Sequence, residues 1–294
     1  MKAAPFEYSR VGSVDEACAI LASDESARVI AGGQTLVPMM VMRLARPTRL
    51  VDINRIAELS YIRSDSDVIS IGATTRQCIV ERDARIAANL PLLASAISFV
   101  GHAATRARGT IGGSLANADP AAELPLIAIT LDADFTYRLG GRTERMAARD
   151  FYVGPMTTSL PNAAVLTSVQ FPKWPGRVGV GFCEVNSRRS DFALVAAAAQ
   201  VELSDDGKCK RIVIGIGAAT DSPIRLSSAE AQLKGGTLDT VSVKNAVLEA
   251  LADVAPLSDL HASAEYRRRV AVSLATRAVA DARANALGKK RDAN

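Results

Sequence analysis

Ala17, Cys18 and Leu21 recur at three- and four-residue intervals, which predicts a helix over 14–22 with an inward apolar stripe. Ser13 stands before it with Glu16 three residues on, a capping box in which the serine caps the helix and the glutamate reaches back. The apolar runs then shorten. Arg28 to Ile30 reads as a buried strand, and Leu36 to Leu44 as a helix capped by Thr35, with Pro38 tolerated in its first turn and Pro47 ending it. Leu50 to Ile53 is a second strand, so this stretch is a βαβ unit with the first helix attached.

Alternating positions follow at Tyr61 to Arg63 and Val68 to Gly72, which read as a hairpin. Helices are expected from Thr75, from Leu92 to Val100 after Pro91, and from Ala121 to Leu131. Strands are expected at Phe135 to Leu139 and Val165 to Phe171. Pro172, Pro175 and Gly176 around Trp174 mark a linker. Beyond it the pattern lengthens: Phe192 to Leu203 and Lys210 to Ile216 are long strands around the turn Asp205-Asp206-Gly207. Helices over Val243 to Val254 and Ala264 to Leu287 close the chain, with a polar, frayed end after Leu287. This divides the chain into residues 1–174, with subdomains 1–56 and 57–174, and a compact α+β unit over 177–288.

The 294 residues are 48% hydrophobic and 22% charged, enough apolar material for real cores. Aromatic residues are only 4%, so alanine and valine must fill much of the interior. A net charge of +4 is mild, and the densest basic run, Arg267-Arg268-Arg269, sits in a helical stretch. It reads as a solvated helix face or a subunit contact, and nucleic acid is not expected as a partner. Cys18, Cys78, Cys183 and Cys209 are scattered, with no Cys-x-x-Cys pair, so neither zinc nor an iron–sulfur cluster is expected on this chain. The N-terminal stretch lacks the apolar centre of a signal peptide, and no run approaches a membrane span of about 20 apolar residues. A cytoplasmic protein is expected.

Two glycine pairs carry the chemistry: Ala31-Gly32-Gly33-Gln34-Thr35 and Thr110-Ile111-Gly112-Gly113-Ser114. Glycine permits positive φ and close approach of the backbone to a bulky anion. Successive main-chain N–H groups before a helix can hold that anion without a charged side chain. Two such loops, far apart in sequence, could grip both halves of a diphosphate. A Rossmann site is not indicated: Gly215-Ile216-Gly217 supplies half of that fingerprint, with Thr220 where the third glycine belongs, and lies in a strand.

These motifs have a precedent. AGGQT followed by LVPMMVMRLARP and LVDIN, then GTIGGSLANADPAAELP, then SRRSDFALVAAA, resembles the FAD-binding medium subunit of the molybdenum hydroxylases, the group of xanthine dehydrogenase and carbon monoxide dehydrogenase. The resemblance runs from Phe6 to about Ala286. It implies an α+β fold: a vanillyl-alcohol-oxidase-like (PCMH-type) FAD domain of two α/β subdomains, then a C-terminal α+β domain of antiparallel sheet and helices. It also implies that Ile30, Ala31, Gly32, Gly33, Gln34, Thr35 and Leu36 hold one side of the cofactor, and Thr110, Ile111, Gly112, Gly113 and Ser114 the other. Glu123 matches an acidic position that accepts from cofactor hydroxyls, or else serves as a helix N-terminal charge. Leu166 matches an apolar residue packed on the cofactor, or is plain strand core. Cys183 matches a position where some relatives carry lysine near the flavin.

His102 either stacks on the flavin or caps a backbone group, and Asp191, close to Arg188 and Arg189, is a candidate anchor between the domains. Gln34 stands where flavoproteins with a covalent flavin place a histidine, so the FAD is expected to be non-covalent. By the same resemblance, electrons pass from a large molybdopterin subunit through a small subunit with two iron–sulfur clusters to this FAD, and on to NAD, a quinone, oxygen or another carrier. The assembly would be a dimer of heterotrimers acting on an N-heterocycle, an aldehyde or CO. A stand-alone flavin oxidoreductase would need its own acid–base residues, and none is evident. An FAD-free scaffold would be free to lose both glycine pairs.

Overall fold

The computed structural model describes residues 2–188 and 190–288, without the side chain of Arg177. The chain builds three units in order. In the first, β1 (Glu7–Arg10), α1 (Val14–Ser23), β2 (Arg28–Ile30), α2 (Leu36–Val41) and β3 (Arg49–Asp52) form a parallel three-stranded sheet in the order β1-β3-β2. The expected βαβ unit is β2-α2-β3, and β1 adds an edge strand that its mostly exposed, polar sequence conceals. Ser13 caps α1, accepting from the Glu16 N–H at 3.2 Å, while the Glu16 carboxylate reaches one residue further back, to the Gly12 N–H.

The second unit holds β4 (Ile62–Ser64), β5 (Val68–Gly72), α3 (Gln77–Arg82), α4 (Ala84–Asn89), α5 (Pro91–Ile97), α6 (Ala103–Arg108), α7 (Ile111–Asn117) and α8 (Glu123–Thr130). It continues through β6 (Asp134–Leu139), β7 (Arg142–Ala147), α9 (Ala148–Phe151), β8 (Tyr152–Gly154), β9 (Thr157–Thr158) and β10 (Val165–Pro172). Its main sheet is antiparallel in the order β4-β5-β10-β6-β7. Every residue of α8 is buried, because this helix is apolar all round and is covered on both sides.

After the Trp174 linker, β11 (Arg177–Asn186), β12 (Ala193–Leu203), β13 (Cys209–Gly217) and β14 (Ile224–Arg225) form an antiparallel meander, followed by α10 (Ser227–Leu233), α11 (Thr240–Ala250) and α12 (Ala264–Ala286). Gly207 at φ 77° turns the expected hairpin. Both faces of this sheet are covered. Ala196, Ala198 and Val213 join the core of the second unit, while Ala197, Ala199 and Ile214 face the helices of the third. Gly215 and Gly217 lie in β13 under Leu126 and Thr130 of α8, so they serve packing, as a strand reading requires. The polar end expected after Leu287 lies, from 289 on, outside the described residues.

The basic run in α12 is not a solvated face. Arg267 is 4% exposed; it donates to the carbonyls of Leu194 and Ala218 and pairs with Asp259 at 2.6 Å. Arg268 donates to the carbonyls of Leu251, Ala252 and Val254, satisfying the end of the preceding helix. Only Arg269 keeps a surface role, beside the Tyr266 ring. Two of the three arginines therefore tie α12 to its own unit.

Candidate cofactor site

The first glycine pair is the bend between β2 and α2. Gly33 has φ 71°, the left-handed region that glycine enters without strain, and a Cβ at Gly32 would stand 2.6 Å from the Arg108 carbonyl oxygen. The bend therefore touches the backbone just ahead of the second pair. Among the described residues the N–H groups of Gly32, Gly33, Gln34 and Thr35 have no hydrogen-bond partner, whereas the Gly33 carbonyl accepts from Val37 at 3.1 Å. Thr35 precedes α2 but makes no side-chain cap. The helix stops at Val41, turned by Arg43 at φ 64°, so Pro47 does not end it. Nor is β2 buried: its residues are exposed or half-buried because they border a cleft.

The second pair is not a loop but the first turn of α7. Thr110 is the N-cap, and its hydroxyl accepts from the Gly113 N–H at 3.0 Å. The remaining amides are bonded within the protein: Ile111 to the Thr75 carbonyl at 3.0 Å, Gly112 to Ala73 at 2.8 Å and Ser114 to Thr110 at 3.2 Å. A Cβ at Gly112 would stand 2.5 Å from that of Ala73. The two pairs therefore differ. The first presents open amides; the second presents a tight backbone surface and the Ser114 hydroxyl, not the amide cradle expected from its sequence.

Between them lies a cleft of about 780 Å³, within the range of pockets that bury a cofactor-sized ligand. Ile30 through Leu36, Thr110, Gly112, Gly113, Ser114, Glu123 and Leu166 all line it. Ile111 does not; it is 1% exposed and turned into the core behind. Cys183 does not line it either. It faces α12, with its thiol 3.6 Å from the Asp281 carboxylate, because strand alternation sends 183 to that side. Phe182, on the other face of β11, packs into the second unit.

His102 is exposed outside the lining and makes no cap bond. Asp191 lines the cleft, its N–H closing a local turn on the Arg188 carbonyl at 3.0 Å. It forms no ion pair among the described residues, and Arg189 lies outside them. An ion-pair link between the units is made by Arg225, which pairs with Asp132 of the second unit and with Glu230 at 2.7 Å. The sequence reading missed Asn117, Asp119, Met156 and Phe192 in the lining. Ala118 at φ 52° and Met156 at φ 54°, joined by a 3.0 Å backbone bond, shape that wall, and neither residue type signals a left-handed turn.

Asp119 and Glu123 line the cleft, and Glu184 lies outside the lining. Burial pushes the Glu123 carboxyl up to about 7, against its own main-chain N–H, with the Asp119 charge adding to the rise. Burial also raises Asp119. Glu184 on β11 is pushed up to about 8, by burial first and then by the Glu123 charge. One Glu184 oxygen accepts from Asn186 at 2.8 Å and the other is buried without a partner among the described residues. Open amides at one end, hydroxyls opposite, apolar Ile30 and Leu166, and acceptor carboxyls fit an elongated ligand with a diphosphate and sugar hydroxyls, as FAD has. Among the described residues no cluster of three His, Cys, Asp or Glu side chains could hold a metal, and no helix is long and apolar enough to cross a membrane.

Comparison with known proteins shows the family. Residues 4–174 match the FAD binding domain in molybdopterin dehydrogenase, and residues 181–282 match the CO dehydrogenase flavoprotein C-terminal domain. The chain is 36% identical over 283 residues to the 6-hydroxypseudooxynicotine dehydrogenase complex subunit alpha of Paenarthrobacter nicotinovorans, covering 96% of each. It is 34% identical to the carbon monoxide dehydrogenase medium chain of Afipia carboxidovorans, covering 96% of this chain and 98% of that one. A chain in the crystal structure of quinoline 2-oxidoreductase from Pseudomonas putida 86 superposes with a TM-score of 0.92 at 33% identity, covering 98% of this chain and all of that one.

Proposed function

The chain belongs to the FAD-binding medium subunits of the molybdenum hydroxylases, an oxidoreductase family, and from that premise we propose that it holds FAD non-covalently in the cleft and relays electrons from a partner subunit to an external acceptor. One observation supports the placement: Gly32 to Thr35, whose N–H groups have no hydrogen-bond partner among the described residues, line a single cleft together with Ser114 and the glycines of α7. Bound there, FAD supplies reversible two-electron chemistry. The protein's own contribution is position. Amides of 32–35 hold one end of the diphosphate and the Ser114 hydroxyl the other; Ile30, Leu36 and Leu166 exclude water, and Glu123 meets sugar hydroxyls. Non-covalent binding is proposed because Gln34 cannot serve as a nucleophile and His102 stands outside the lining.

The electron source is a small iron–sulfur subunit, itself served by a large molybdopterin subunit, in a dimer of heterotrimers. The surface beside the cleft suits such a partner. Helix α2 is almost wholly apolar, yet Val37, Val41 and the following Met42 and Leu44 are exposed, Leu44 at 70%. The exposed Arg43 and Arg46 flank these residues in the chain without an ion pair among the described residues, so the apolar patch carries positive charge and matches an acidic protein face. Co-expressed with both partners, the chain is expected to copurify with them carrying one FAD, released intact on denaturation. Met42→Glu with Leu44→Glu should lower recovery of the iron–sulfur subunit at least fivefold while the flavin stays bound. A chain that copurifies with both partners but carries no flavin would overturn the cofactor reading.

A further inference from the structure

Outside the lining of the cleft, a relay of polar side chains ties the two glycine motifs together. Tyr8 Oη donates to Asp52 Oδ2, and Asp52 Oδ1 accepts from the Asn54 N–H at 2.9 Å and from Asn54 Nδ2 at 2.7 Å. The same Asn54 amide nitrogen donates to the Ala31 carbonyl at 2.8 Å, one residue before Gly32. Asn54 Oδ1 accepts from Arg76 Nη2 at 2.7 Å, and Arg76 Nη1 donates to the Arg108 carbonyl, the atom against which Gly32 packs. Residue 76 also bridges to Thr110, and its neighbour Gln77 bonds the Gly109 carbonyl at 3.0 Å. Neither Asn54 nor Arg76 lines the cleft.

We infer that Asn54 and Arg76 are positioning residues that fix the distance between the two glycine motifs, so that one diphosphate can engage both. The inference rests on FAD occupying the cleft. Its physical basis is the division of the chain. The first motif belongs to the parallel sheet and the second to the following unit, and the relay crosses between them at the height of the glycines. The planar Asn54 amide donates to Ala31 beside the first motif and accepts from Arg76, whose forked guanidinium also donates to the Arg108 carbonyl ahead of the second. Lysine keeps the charge of Arg76 but not the fork. Asp52 is held ionised below the ordinary carboxylate range: burial works against this, and the hydrogen bonds from Tyr8 and Asn54 with the nearby Arg10 outweigh it. That anion orients the Asn54 amide with its nitrogen toward Ala31.

The test is a double-mutant cycle on the full chain, stripped of flavin and titrated with FAD by flavin fluorescence, alongside melting of the flavin-free proteins. Asn54→Ala and Arg76→Lys are each expected to raise the dissociation constant about tenfold, and the double variant no further than either alone, because one broken link opens the whole relay. An Arg76→Lys chain that binds FAD as tightly as the parent would overturn the inference, as would fully multiplicative effects. So would a loss confined to melting temperature with unchanged affinity, which marks ordinary structural support. A parent chain that takes up no FAD would sink the cofactor reading and the relay's role with it.

Discussion

Gly33 concentrates what a single residue contributes here. Its φ of 71° is one that asparagine tolerates better than most side chains, and the added Cβ would press on the Val37 methyl at 3.2 Å, with Ile30 in ordinary contact at 3.6 Å. Charge can therefore be separated from shape. Gly33→Asn should cost FAD affinity severalfold, whereas Gly33→Asp, nearly the same size, should abolish stoichiometric binding by repelling the diphosphate; flavin content after gel filtration distinguishes them. Equal retention by both variants would place the diphosphate elsewhere. Single-residue readings from sequence succeeded where local chemistry decides. Ser13 caps α1, Gly207 turns the hairpin, and the first glycine pair borders the cleft. They failed where the facing partner lies far along the chain. Nothing local shows that Cys183 turns toward α12, or that Arg267 ends on carbonyls some fifty and seventy positions away.

At the scale of elements, length set what could be read. The ten residues of α1 and the long strands β12 and β13 repeat their pattern often enough to show it. Helices α4 and α6, of six residues each, span under two turns and leave no stripe, and both escaped the sequence reading. Strand β11 escaped because its alternate glycines, 179 and 181, look like loop; they are bare because α12 presses its own backbone onto them. The second glycine motif was legible as special but not as helical. The distinguishing sign was Thr110 three residues ahead of Gly113, an N-cap pattern. Helix α2 is the opposite case: its apolar run reads as core, and the fold leaves most of it uncovered.

Taken as a whole, the molecule is organised around seams between its units. The glycine relay closes one seam, and the buried carboxyls occupy the other, where β11 meets the helices of the second unit. The sign of their effect on stability follows from their raised values. Glu184 near 8 and Glu123 near 7 keep protons in the folded chain that the unfolded chain releases from about pH 4.5 upward. They therefore weaken the fold as pH rises through that interval, most of all above pH 8. Glu184→Gln should raise the melting temperature of the flavin-free chain by about 2 °C at pH 8 and change it little at pH 5. A variant destabilised more at pH 8 than at pH 5 would show that the ionised carboxylate is supported by a partner.

On the proposed placement the two glycine motifs share one diphosphate in different ways, the first through open amides and the second through the Ser114 hydroxyl and a glycine surface whose amides are already bonded within the protein. Amide hydrogen exchange on the full chain, with and without saturating FAD, reads both at once. The expected result is slowed exchange at Gly32 to Thr35 on FAD addition, with Ile111 to Ser114 already slow in the absence of the cofactor. Slowing confined to 111–114, with 32–35 unchanged, would contradict it.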